Sequence, residues 1–84
     1  MTDHRAIRDP KNVEPIYAAI GSRVRYVRET LGISQAELAR AVGLTRTSLV
    51  NFEAGRQRCM LHSIEAMAIA MSTTPKNLLK GLWT

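Results

Sequence analysis

Cysteine is nearly absent from this sequence: among 84 residues only Cys59 carries a thiol. One thiol closes no bridge within a chain, and one Cys with two His, of which only His62 stands near it, is too few for the four ligands of a structural zinc site, so neither a disulfide scaffold nor such a site is open to it. Aromatic residues are scarce too, at 5% against 45% apolar residues in all, which leaves Leu, Ile, Val, Met and Ala to build the core and favours helices packed on helices. No apolar run approaches the roughly 20 residues that cross a bilayer. Residues 1–10 lack the apolar stretch of a signal peptide, so the expected setting is the reducing cytoplasm, with no membrane partner. His4 and His62 stand far apart, and no nucleophile–base pair, carboxylate pair or metal set is visible. The expectation is a chain without enzymatic activity, cofactor or small-molecule substrate.

What the sequence does have is positive charge in one place. The net charge is +5, and residues 15–58 hold Arg23, Arg25, Arg28, Arg40, Arg46, Arg56 and Arg58 against only Glu29, Glu37 and Glu53. Residues 1–14 balance to zero, and residues 59–84 add Lys76 and Lys80 against Glu65. Charge focused on the middle of a short chain is the footprint expected of a surface that meets phosphate.

The same middle segment is dense in helix punctuation. Pro10 and Pro15 bracket a polar stretch, so residues 1–14 read as an N-terminal arm and 15–84 as one domain. Apolar residues at Ile16, Ile20, Val24, Val27 and Leu31 predict a first helix ending at Gly32. Ser34 can then cap the N–H of Glu37, Glu37 can reach back to Ser34, and Ile33 can staple onto Leu38. That opens a second helix from Gln35 to about Val42, stopped by Gly43. Thr45 and Leu44 repeat the device for a third, from Arg46 to about Ala54 before Gly55. Leu61, Ile64, Met67, Ala68 and Met71 mark a fourth, with Met60 where a capping side chain would help, and Thr74-Pro75 opens a fifth through Leu78 and Leu79. Met60, Met67, Met71 and Cys59 read as filler. The fold class is all-α, with five helices.

Two short capped helices joined by a Gly-containing turn form a helix-turn-helix, whose second helix lies in the DNA major groove. On the third helix the apolar Leu49 and Phe52, with small Ser48, lie about 180° from a face holding Arg46, Thr47, Val50, Asn51 and Ala54. That outer face carries no acid. Its side chains match base edges: Arg for guanine O6 and N7, Asn for adenine N6 and N7, and the Thr and Val methyls for the thymine methyl. The predicted base readers are Arg46, Thr47, Val50 and Asn51.

Three segments, Ser34-Gln35-Ala36-Glu37-Leu38-Ala39, Val42-Gly43-Leu44-Thr45-Arg46-Thr47-Ser48-Leu49 and Asn51-Phe52-Glu53-Ala54-Gly55-Arg56, resemble the helix-turn-helix of the lambda-repressor and Cro-like (Xre-type) family. The resemblance runs over roughly residues 16 to 80. It implies a compact five-helix DNA-binding fold in which Ser34, Gln35, Thr45, Ser48, Arg56 and Arg58 meet phosphates. It also implies a structural ion pair, buried, between Arg28 and Glu53. Val50 departs from the family, where that position is often polar.

Leu78, Leu79, Leu82 and Trp83 gather more apolar surface than a small domain easily hides, and they are the predicted interface of a homodimer. The resulting expectation is a transcriptional regulator, a repressor or controller protein, binding double-stranded DNA on a pseudo-palindromic operator. The rival reading is an antitoxin-like module whose main task is to mask a protein partner, with DNA binding secondary.

Overall fold

The second helix, α2 (Gln35–Val42), ends by a backbone device that also sets the direction of the next element. Gly43 adopts φ +75°, a conformation that costs a residue without Cβ little, and the chain turns back on two bonds, from Gly43 N–H to Arg40 O at 3.3 Å and from Leu44 N–H to Ala39 O at 2.9 Å. Thr45 follows at once as the N-cap of the third helix, α3 (Arg46–Glu53), its hydroxyl oxygen accepting from Ser48 N–H at 3.0 Å. Only Gly43, Leu44 and Thr45 therefore separate the two helices.

The computed structural model describes residues 14–82. Five helices follow in order: α1 Glu14–Thr30, α2 Gln35–Val42, α3 Arg46–Glu53, α4 Leu61–Ala70 and α5 Pro75–Leu78. The expected arm, residues 1–14, lies outside the described residues except for Glu14, whose backbone already opens α1. No strand occurs among the described residues, as the all-α reading required.

Packing follows the apolar periodicity. Ile20 and Val24 of α1, Leu38 and Ala39 of α2, Leu49 and Phe52 of α3, Ile64, Met67 and Ala68 of α4, Met71 at its C-cap, and Leu78 of α5 form one core. α1 packs on α3, α2 on both α3 and α4, and α4 on α5. The Arg23 guanidinium ties the last helix back to the first by donating to Leu78 O at 3.1 Å.

Four apolar expectations need correction. Met60, read as filler, stands at the N-cap position of α4 and is 63% exposed. Leu31 lies past the end of α1, on the turn, and is 50% exposed. Leu61, the first residue of α4, is 85% exposed, because the buried face of that helix is set by Ile64, Met67 and Ala68. Leu78, expected at a dimer interface, is 1% exposed within the single chain; Leu79 and Leu82 lie half-buried against the same core, and Trp83 falls outside the described residues. The short α5 turns Leu78 inward to close the bottom of the core.

The approach of α1 to α3 depends on Gly21. A Cβ there would lie 2.3 Å from Phe52 O and 2.8 Å from Glu53 O, and neither backbone oxygen can rotate away. Gly21→Ala is expected to lower stability by about 1–3 kcal/mol by forcing the helices apart. An unchanged denaturant midpoint would contradict this account of the packing.

Candidate nucleic-acid interface

The surface that α2 and α3 present is assembled from the N-terminal ends of both helices. At α2, Ser34 Oγ accepts from Glu37 N–H at 3.0 Å, and Glu37 Oε1 accepts from Ser34 N–H at 2.9 Å. Capping of this kind orders the first turn, whose N–H groups at Gln35 and Ala36 lack partners within the helix and carry its positive end. An open groove runs past this end, lined by Arg25, Arg28, Glu29, Ser34, Gln35, Ala36 and Arg46. The helix terminus and the two outer arginines make it a natural seat for an anion.

The capping box has a pH signature. Both hydrogen bonds with Ser34, the backbone one first, hold the Glu37 carboxyl below its ordinary value, with help from the Arg40 charge. A lowered pKa means that Glu37 favours the fold above its usual titration near about pH 4.3 and withdraws that support as pH falls through its folded value. Glu37→Gln is expected to flatten the acid limb of the stability profile below about pH 4. An identical acid limb in both proteins would show that the box contributes nothing.

Behind the groove, three helices meet at one carboxylate. Arg28 Nε and Nη2 donate to Glu53 Oε2 at 2.7 Å and to Oε1 at 3.0 Å, a two-pronged contact between side chains only 9% and 3% exposed. Arg28 Nη1 donates to Ile33 O at 2.9 Å, and Gln35 Nε2 donates to Glu53 Oε1 at 3.1 Å. The Glu53 hydrogen bond, more than any other influence, raises the Arg28 pKa, so the guanidinium stays charged despite its burial. Glu53 thereby fixes α1, α2 and α3 relative to one another. It also aims Gln35, expected to touch phosphate, and leaves the second amide hydrogen of Gln35 for that purpose.

The expected base readers are on the outer side of α3. Arg46 and Thr47 are exposed, Val50 and Asn51 half-buried, while Leu49, Phe52 and Glu53 face inward. Of the expected phosphate contacts, Ser34, Thr45, Arg56 and Arg58 are exposed, and Gln35 and Ser48 are half-buried. The hydroxyl oxygens of Ser34 and Thr45 are engaged as caps. Asn51 Oδ1 accepts from Arg56 Nη1 at 3.1 Å, so one expected base reader and one expected phosphate contact touch each other.

Arg25 was not singled out from the sequence, although the structure places it on the same groove as Gln35 and Arg46. The signal was its place three residues before Arg28, one helical turn away on the same face. Arg25 also pairs with Glu29 at 3.2 Å, but both side chains are more than half exposed and such a pair holds weakly. Cys59 lies half-buried in a crevice with Leu44, Phe52, Met60 and Met67, where burial pushes its thiol pKa up and disfavours the reactive thiolate. Among the described residues no group of three His, Cys, Asp or Glu side chains could hold a metal ion, and no helix is long and apolar enough to cross a membrane.

A family model described as a helix-turn-helix domain matches residues 19–78. The chain belongs to that helix-turn-helix family. Solved structures agree on the lambda-repressor-like arrangement. The restriction-modification controller protein C.AhdI from Aeromonas hydrophila is 30% identical, with a TM-score of 0.76 over 80% of this chain and 97% of that one. The hypothetical transcription factor NHTF from Neisseria is 37% identical, with a TM-score of 0.71 over 79% of this chain and 75% of that one. The clp gene regulator ClgR from Corynebacterium glutamicum shares the fold, at a TM-score of 0.78 and 22% identity over 81% of this chain and 72% of that one. No curated protein matches the sequence.

Proposed function

We propose that this helix-turn-helix protein is a sequence-specific DNA-binding transcriptional regulator that inserts α3 into the major groove. The observation that carries the reading is the outer face of α3: Arg46 and Thr47 exposed, Asn51 beside them, no acid among them, and the positive end of α2 opening on the same groove as Arg46. Donors of these types suit base edges, and a helix N-terminus flanked by Arg25 and Arg46 suits the adjoining phosphates. Likeness to proteins called a restriction-modification controller protein and a hypothetical transcription factor supports the same class.

The regulator works as a homodimer with one α3 in each of two successive grooves, about 34 Å apart on a pseudo-palindromic operator. With Leu78 spent on the core, the dimer face moves to α4, where Leu61 and Ile69 lie two turns apart on one side and are 85% and 69% exposed. Pro75 of α5 and Leu79 just beyond it line a shallow groove with Leu61. Glu65 stands between Leu61 and Ile69 on that side, so the proposed two-fold interface buries exposed apolar side chains around one carboxylate.

Selection of bound sequences from a random duplex library, by the purified protein and by Arg46→Ala, tests the reading. A two-fold motif that loses information at particular bases in the variant is the expected result. Binding without sequence preference would refute it, and would make the exposed face of α4 the place to seek a protein partner.

A further inference from the structure

We infer that Arg56 sets the base preference of Asn51, and that its part in recognition is therefore one of specificity as well as of charge. The inference rests on the reading that α3 enters the major groove.

The geometry begins with the backbone. After α3 the chain turns through Gly55, whose N–H donates to Phe52 O at 3.1 Å, and Arg56 N–H then donates to Asn51 O at 3.0 Å. This pair of bonds returns Arg56 to the end of the helix it has just left. Its guanidinium comes to rest on the Asn51 side chain, with Nη1 3.1 Å from Oδ1. The same two residues are thus joined twice, once through the main chain and once through their side chains.

A carboxamide is nearly symmetric in shape and opposite in chemistry at its two ends: Oδ1 accepts and Nδ2 donates. An unconstrained Asn can present either end to a base. A guanidinium carries donors only, so beside Arg56 the flipped amide would set donor against donor. Arg56 therefore holds Oδ1 on its own side and turns the Nδ2 hydrogens away, while Oδ1 keeps a second lone pair. An amide locked in one sense matches an edge that pairs an acceptor with a donor, as adenine N7 and N6 do. Guanine offers two acceptors, N7 and O6, and thymine offers O4 without the neighbouring donor. Released from Arg56, the amide could rotate its donors toward those acceptors, and the discrimination would fade.

The other guanidinium hydrogens of Arg56 remain suited to a phosphate, so that one side chain links a backbone contact to a base contact. A plain phosphate contact and a positioning residue differ in what their loss does. The first weakens binding to every sequence alike, and the second relaxes preference at one place in the site.

The experiment compares the intact protein with Arg56→Ala, Asn51→Ala and the double variant, by selection from a random duplex library and then by affinity for single-base variants of the selected site. Arg56→Ala is expected to reduce discrimination about ten-fold at the base that Asn51→Ala also affects. The double variant should discriminate no worse there than Asn51→Ala alone. Arg56→Met, which keeps the aliphatic stem and no donor, carries the same expectation and serves if the alanine variant folds poorly. Uniform weakening with an unchanged motif would overturn the inference and leave Arg56 as a phosphate contact. An intact protein that selects no motif would overturn the base-reading assignment itself, and the inference with it.

Discussion

Glu53→Ala is expected to remove about 3–5 kcal/mol of folding free energy, as much as truncating a large side chain of the core. The reason is what stays behind. Arg28 keeps its bond to Ile33 O but loses both contacts to the carboxylate, and its charge remains in a position only 7% exposed. Gln35 loses its anchor at the same time. Domains of modest size have total stabilities of roughly 5–15 kcal/mol, so this change takes a substantial part of the whole. The contrast that isolates the cause is Arg28→Met with Glu53→Leu together. With neither charge present, the cost should shrink to about 1 kcal/mol or vanish, because a buried pair is favourable chiefly relative to a buried half-pair. Chemical denaturation of the two variants decides the matter, and a double variant as unstable as Glu53→Ala would show that packing at the site, and not the orphaned charge, is responsible.

DNA affinity should fall steeply with salt. If two protomers together neutralise about ten phosphates, log K declines with log salt at a slope near −9, which is roughly a 10⁵-fold loss between 50 and 200 mM. The charge that supports this estimate sits on one stretch of the chain: Arg25 and Arg46 along the groove at the α2 terminus, and Arg56 and Arg58 exposed beyond α3. Removing one phosphate-contacting arginine from each protomer of a dimer should make the slope shallower by about two units. Titration over that salt range measures both quantities. A slope near zero would mean that the duplex is not held by its phosphates, and the proposed mechanism would fail.

The helices themselves were legible because their signals are local. Ser34, Glu37, Gly43 and Thr45 act within a few residues of their own position, and the boundaries of α2 and α3 follow from them. The alternation of Leu49 and Phe52 with Arg46, Thr47 and Asn51 likewise says which side of α3 turns inward without reference to any other element. Apolar residues near helix ends were harder. Leu61, Ile69 and Leu78 have similar side chains, yet two are exposed and one is buried, a difference that depends on where α4 and α5 lie against the core.

By itself, then, the sequence determined an all-α chain, the positions of five helices, a basic middle segment and the outward face of α3, since propensity, capping and periodicity act over one or two turns. The buried Arg28–Glu53 pair was already implied by the resemblance, but tertiary structure alone decided that Gln35 joins it from a third helix, that Arg25 lines one groove with Arg46, and that Arg56 grips Asn51. It also decided that the exposed apolar surface lies on α4 while Leu78 is spent inside. These are matters of where one element sits against another, and that placement is set by the packing of the whole core and by the return of the chain at each helix end, neither of which is a property of any short segment.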